Sequence, residues 1–271
     1  MFALNQICCP DLSLAEFFAL ATRLGCRGVE LRNDMGRPIF GGHSGRDVGR
    51  MASDAGLEIF ALAQVGSFDL ADDHKLEEAR ALLEMAGQCG AQSVALIADN
   101  NSQLPPHTVQ SVAKVLERYQ PLFAGTGIVG AVEPLGFASC ALRHKPVLSE
   151  AISMVGGEAE FGIIHDTFHH YLAEDSLVGP GIALVHISGV DVLERPRLQL
   201  VDGDRGLVDA GDRLKNIEQI RDLQRLGYSG ALSFEPFAVE ICRSPSHEEE
   251  LRRSMNFILS AVGGNEPANG G

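Results

Sequence analysis

Short apolar runs alternate along this chain with longer segments in which apolar residues recur every three or four positions. The run F-G-I-I at 161–164 leads directly into His165 and Asp166, with His169 and His170 just beyond. The run I-A-L-V at 182–185 leads into His186. A short apolar run bounded by turn residues reads as a strand buried on both faces. The same pattern recurs in V-G-A-V-E-P, ending at Glu133, and in A-L-S-F-E-P, ending at Glu235. The intervening segments carry helix punctuation. Ser13 and Glu16 are spaced as a capping box ahead of Phe17, Leu20, Ala21 and Leu24, and Gly25 follows as a stop.

Taken in order, the pattern predicts strands at 2–7, 28–32, 57–63, 93–97, 128–132, 161–164, 182–185 and 231–234. Helices are expected from about 45 to 56, 73 to 90, 107 to 123, 146 to 155 and 212 to 226. A short helix should follow Thr167, and a last one should run from Ser246 to about Val262. The unit of helix, glycine and apolar strand returns at intervals of roughly thirty residues, the length of a βα unit. Eight such units predict an α/β chain folded as a single (β/α)8 TIM barrel over 1–262, with a mobile tail at 263–271. An open doubly wound sheet is the rival, but no G-x-G-x-x-G opens a helix after the first strand. Two loops, 33–45 and 189–211, are longer than connection requires. Both follow strands, so a barrel places them on the face where such enzymes keep their chemistry.

Composition narrows the function. The 271 residues are 45% hydrophobic and 21% charged, which is ordinary for a globular α/β protein. The net charge of −14, with no run of Lys and Arg, argues against nucleic acid as the main partner. Cys8, Cys9, Cys26, Cys89, Cys140 and Cys242 form no C-x-x-C pair and are expected as reduced, mostly buried thiols. No apolar stretch is long enough to span a bilayer, and the first residues lack the basic start and long apolar run of a signal peptide. A cytoplasmic protein with no membrane partner is the expectation.

Barrel closure brings the C-terminal tips of strands five to eight towards one point, and these tips carry Glu133, Asp166, His186 and Glu235. A single acid at a strand end is usually paired with loop backbone or an arginine. Four acids and imidazoles on four consecutive tips are costly to bury without a cation. Three hard oxygens and one borderline nitrogen suit one divalent ion, Mn²⁺, Zn²⁺, Co²⁺ or Mg²⁺, with room for two substrate oxygens.

With these motifs the chain resembles the xylose isomerase-like, metal-dependent TIM barrels, which include sugar isomerases and epimerases and also endonuclease IV. The likeness is greatest to the 2-keto-myo-inositol (inosose) isomerases, and it is better from Glu133 to Glu235 than before Gly90. The resemblance implies Glu133, Asp166, His186 and Glu235 as ligands of one divalent ion. D-x-x-H, here Asp166 and His169, is a further signature, and the resemblance implies substrate binding by His169. The segment around Asp202-Gly203-Asp204-Arg205 resembles the D-R-x-x-P-G-x-G stretch of the isomerases, with Val208-Asp209-Ala210-Gly211 where that stretch has its Pro-Gly. The endonuclease branch needs His near the ends of strands three and four, and neither strand here ends in one.

The expected chemistry is isomerisation or epimerisation of a keto-sugar or keto-inositol, as in inositol catabolism. A proton next to a carbonyl is removed and returned, through a metal-stabilised enediolate. Glu133 and Glu235 act as acid and base. His169 and Arg205 bind the substrate, while Asp166 and His186 mainly fix the metal. Glu30 and Arg32 at the tip of strand two are possible further substrate contacts, although Glu30 can equally pair with a neighbouring strand's cation. His165, one residue before Asp166, points the other way, into the helix layer, and takes no part. No glycine-rich phosphate cradle is present, which favours an unphosphorylated sugar or cyclitol. Two alternatives stay open: a metal-dependent dehydratase of the inosose or dehydroshikimate type, and a non-catalytic sugar-binding barrel. A homo-oligomer is compatible with the sequence, which carries no direct sign of one.

Overall fold

The computed structural model describes residues 1–101, 104–177 and 181–263. Eight parallel strands close into a barrel in sequence order, with β1 hydrogen-bonded to both β2 and β8. The strands are β1 (Phe2–Asn5), β2 (Gly28–Arg32), β3 (Glu58–Gly66) and β4 (Ser93–Ile97). They continue as β5 (Val129–Glu133), β6 (Phe161–Asp166), β7 (Ile182–Ile187) and β8 (Leu232–Phe234). Helices α1 (Leu14–Leu24), α2 (Gly45–Asp54), α3 (Asp73–Cys89), α4 (Val109–Phe123), α5 (Lys145–Met154), α6 (Thr167–Ala173) and α7 (Asn216–Arg225) follow successive strands. A short α8 (Val239–Cys242) and a long α9 (His247–Gly263) complete the chain. The single (β/α)8 barrel expected from the spacing is the fold.

Side-chain alternation along each strand builds two apolar layers. Val132, Ile163, Val185 and Phe234 face outwards into the large core between strands and helices. Ala61, Ala63, Ala95, Ala131, Ile164 and Leu184 form a separate cluster that fills the barrel. Small alanines on β3, β4 and β5 let this interior close without a pore. The next inward residues after Ala131, Ile164 and Leu184 are Glu133, Asp166 and His186. One period of two therefore separates the apolar plug from the polar mouth.

Helix punctuation follows the sequence closely. Ser13 and Glu16 form the reciprocal capping box of α1, and Gly25 closes that helix in the left-handed conformation at φ 72°. Asp72, whose side chain accepts from Lys75 N–H, caps α3. At four boundaries the difference has a local reason. β1 stops at Asn5, because the Asn5 side chain turns to accept the Ile7 N–H. β6 and β7 run on through Asp166 and Ile187, with Asp166 paired to His186 in the ladder. α7 begins at Asn216 rather than near 212, because the Asp212 carboxylate takes the N–H groups of Leu214 and Asn216 and holds the preceding turn. Gly263 is the last residue of α9; the rest of the tail expected to be mobile, 264–271, lies outside the described residues.

The long loop between β7 and α7 is pinned at its root, where Gly189 and Gly206 exchange backbone hydrogen bonds of 3.0 and 2.7 Å. A Cβ on Gly189 would stand 2.2 Å from the Leu207 carbonyl oxygen, whereas one on Gly203 would meet open space. Gly189→Ala is therefore expected to cost about 1–3 kcal/mol through backbone crowding, read as a lower melting temperature. Gly203→Ala should be neutral, and equal melting temperatures for the two variants would contradict this account.

Candidate metal centre

The four strand tips do converge. Glu133, Asp166, His186 and Glu235 are all buried, and one ligand atom from each lies within 4.8 Å of the others. His186 Nδ1 stands 3.1 Å from Glu235 Oε2, 3.4 Å from Glu133 Oε1 and 4.0 Å from Asp166 Oδ2. Its other nitrogen, Nε2, lies 3.1 Å from Glu30 Oε2. The ring thus meets carboxylates on both sides, and Glu30 in turn accepts from the Ser233 hydroxyl.

The donor set fits a cation on one specific observation. Nδ1 of His186 is fully buried and has no aligned hydrogen-bond partner, although three carboxylates surround it. With Nε2–H donated to Glu30, the neutral ring turns a bare lone pair towards negative charge. That arrangement is repulsive unless a cation or a proton sits between. Donors held about 2.1 Å from one ion stand roughly 3.0–3.4 Å apart, and the two shortest separations here match. Four such residues would hold a divalent ion.

Without the ion, protons take its place. Burial works to lower the His186 pKa, but Glu235, Glu30 and Glu133 together raise it well above 6.5. Burial pushes the Glu133 carboxyl up to about 7, against the pull of His186. Glu235 goes the other way: burial opposes its charge, yet His186, Arg205 and Arg32 hold its carboxyl well below the usual range. A cation must displace the protons on His186 and Glu133, so acid should weaken its binding. Calorimetric titration with Zn²⁺ should show affinity falling by at least about tenfold per pH unit below pH 7, with protons released on binding. A pH-independent affinity would place the ion elsewhere.

The predicted substrate-binding residues lie beside the cluster. His169 is buried on α6 and its backbone N–H donates to Asp166 Oδ1 at 2.8 Å, so Asp166 caps this helix as it faces the site. Burial lowers the His169 pKa to about 4, leaving a neutral ring whose Nδ1 has no protein partner. Arg205 turns inward from the β7–α7 loop and is only 1% exposed. Its Nη2 donates to Asp166 Oδ2 at 2.5 Å and Glu235 Oε2 at 2.8 Å, and its Nε to Ser188 Oγ at 3.1 Å. The guanidinium also lies 4.6 Å from the Phe237 ring and 5.2 Å from that of Phe168.

Some of the other residues stand differently from expectation. Glu30 pairs with His186 and Ser233, not with a cation of a neighbouring strand, and it sits fully buried behind the ligands. Arg32 reaches Glu235 Oε1 at 2.7 Å. His165 points into the helix layer as predicted, where Nε2 meets Gln219 Oε1 at 2.9 Å. Asn5 was not singled out by sequence, yet its amide donates to Glu235 Oε1 at 3.1 Å. The available signal was the same as elsewhere: a polar residue ending an apolar strand, F-A-L-N. Lys145, also missed, is buried against His170, and burial lowers its pKa to about 8. All six cysteines are buried and unpaired. Among the described residues no helix is long and apolar enough to cross a membrane.

Fold and site together define a closed parallel (β/α)8 barrel with a possible metal site at the C-terminal mouth. The chain belongs to the xylose isomerase-like TIM barrel family, whose model matches residues 18–261. A xylose isomerase domain-containing protein from Salmonella typhimurium LT2 is 31% identical, with a TM-score of 0.88 and 97% of each chain covered. The IolI protein, crystallised with a bound zinc atom, is 19% identical with a TM-score of 0.85, covering 96% of this chain and 97% of its own. An L-ribulose 3-epimerase is 17% identical with a TM-score of 0.72, over 97% of this chain and 94% of its own. Among curated proteins the sequence has no match.

Proposed function

We propose that the protein is a divalent-metal-dependent isomerase or epimerase of a keto-sugar or keto-inositol. The observation that carries this reading is the pair of buried carboxylates, Glu133 and Glu235, both within 3.4 Å of the unpartnered His186 Nδ1. Binding a neutral sugar has little use for two buried carboxylates beside a cation site, whereas moving a proton between neighbouring carbons needs an acceptor and a donor. A divalent ion held by Glu133, Asp166, His186 and Glu235 would supply positive charge to two adjacent substrate oxygens as the enediolate forms.

The two glutamates divide the proton transfer between them. Glu235, a carboxylate held in place by Arg205 and Arg32, serves as proton acceptor. Glu133, at the tip of β5, returns a proton to the other carbon or face. His169, neutral and with a free Nδ1, hydrogen-bonds a substrate hydroxyl, and Arg205 orients the substrate's oxygens from the loop side. Burial of the whole cluster excludes water from the carbanionic intermediate.

The test is exchange in D₂O. Metal-loaded protein incubated with keto-inositols and ketohexoses should incorporate deuterium beside the carbonyl and form an isomer of unchanged composition. Loss of water by mass would move the assignment to a dehydratase. No exchange with any of them, together with unimpaired sugar binding by Glu133→Ala and Glu235→Ala, would leave a binding protein.

A further inference from the structure

We infer that Arg32, with Asn5 beside it, reserves one oxygen of Glu235, so that this carboxylate presents a single oxygen to the cation site. The inference rests on the proposed reading of the cluster as a divalent-ion site. Arg32 ends β2 and is only 5% exposed, although an arginine at a strand tip can ordinarily reach solvent. Its planar fork is divided between two carboxylates. Nε and Nη2 donate to the two oxygens of Asp34 at 2.9 and 2.6 Å, and Nη1 donates to Glu235 Oε1 at 2.7 Å.

Asn5 completes the arrangement. Its Nδ2 donates to the same Oε1 at 3.1 Å, while its Oδ1 is held by the Ile7 N–H at 3.1 Å, which fixes the orientation of the amide. The Arg32 backbone N–H is itself held by Gln6 Oε1 at 3.0 Å. Two donors therefore occupy Oε1, filling its two lone pairs. Oε2 faces His186 Nδ1 at 3.1 Å and accepts one hydrogen bond, from Arg205 Nη2 at 2.8 Å, so one of its lone pairs remains for a cation. Asp166 is treated in the same way: His169 N–H occupies Oδ1, while Oδ2 faces the site and shares the Arg205 Nη2 donor with Glu235 Oε2. Among the described residues Glu133 meets only the His186 ring at ion-pair distance, so it is the one carboxylate of the three with no donor holding an oxygen back.

The consequence concerns coordination number. A carboxylate that binds through both oxygens consumes a position that a substrate oxygen would otherwise take. By holding Oε1, Arg32 keeps that position open and fixes the angle of Glu235. It is a positioning residue, and its geometry matters beyond its charge, because a lysine ammonium cannot span Asp34 and Glu235 as the fork does.

The test uses the full chain stripped of metal and titrated with Co²⁺, whose visible bands are much stronger at low coordination number than at six. Arg32→Met should free Oε1, weaken the bands severalfold and lower kcat about 10–100-fold with little change in KM. Arg32→Lys should resemble Arg32→Met. Asp34→Asn, at a side chain about one-third exposed, should shift the bands in the same direction by less, and it carries the test if Arg32→Met fails to fold. Unchanged Co²⁺ spectra in Arg32→Met or Asp34→Asn overturn the inference. So does a wild-type-like Arg32→Lys, or a raised KM at constant kcat, which would make Arg32 a substrate contact. If wild type takes up Co²⁺ but turns over no keto-sugar, the isomerase reading falls while the spectra still decide the role of Arg32. A wild type that takes up no Co²⁺ sinks the cation site and this inference together.

Discussion

Glu235→Gln, assayed at saturating divalent ion, is expected to lose about 10²–10⁴ in kcat while the barrel stays folded. The amide keeps the shape of the side chain and can still accept from Asn5 and Arg32, whose donors lie 3.1 and 2.7 Å from Oε1. What it cannot do is take a proton. The substitution also removes one negative charge from a cluster that contains Arg32, Arg205 and, without the ion, a protonated His186. Metal affinity should therefore fall as well, and metal content must be measured alongside the rate so that lost chemistry is not confused with lost ion. Glu133→Gln should be comparably slow for the complementary reason, since it holds its protons permanently and can neither give nor take one in turnover. Undiminished kcat in Glu235→Gln with full metal occupancy would remove Glu235 from the proton-transfer step.

Dialysis against a chelator is expected to abolish turnover, with recovery on adding Mn²⁺, Zn²⁺, Co²⁺ or Mg²⁺, and also to lower the melting temperature. The second effect follows from mass action. An ion present at 100 times its Kd stabilises the native state by about 2.7 kcal/mol. At about 2–4 °C per kcal/mol for a large domain, its removal should lower the melting temperature by about 5–10 °C. The direction has a local cause: removing the ion leaves three buried carboxylates and Glu30 around one ring, with a proton on His186 as the replacement. Full turnover after complete removal of divalent ions would end the metal-dependent mechanism.

Much of this centre was legible because of an energetic conflict visible in the chain. Glu133, Asp166, His186 and Glu235 each terminate a strand that is otherwise apolar, and burying such groups is costly unless they share a partner. The orientation of His165 followed from alternation alone, and the structure places it against Gln219 on α7. Less was legible about β1 and β2. Asn5 and Arg32 act on Glu235 from 230 and 203 positions away, and Glu30 meets His186 across 156. No local spacing marks such pairs. They exist because β8 closes onto β1, which brings the start and the end of the chain into one ring of inward side chains.

The sequence by itself determined the repeating βα unit, the eight strands and the identity of the four residues at the mouth, because periodicity and burial cost are local properties. Only the tertiary structure decided which oxygen of each carboxylate faces the site. It also decided that Arg205 folds inward to Asp166 and Glu235, and that Glu30 holds the far side of the His186 ring. Those choices depend on the stagger and closure of the barrel and on one loop pinned at Gly189 and Gly206. A hydrogen bond's direction is set by three-dimensional placement within a few tenths of an ångström, and strand spacing along the chain carries no record of it.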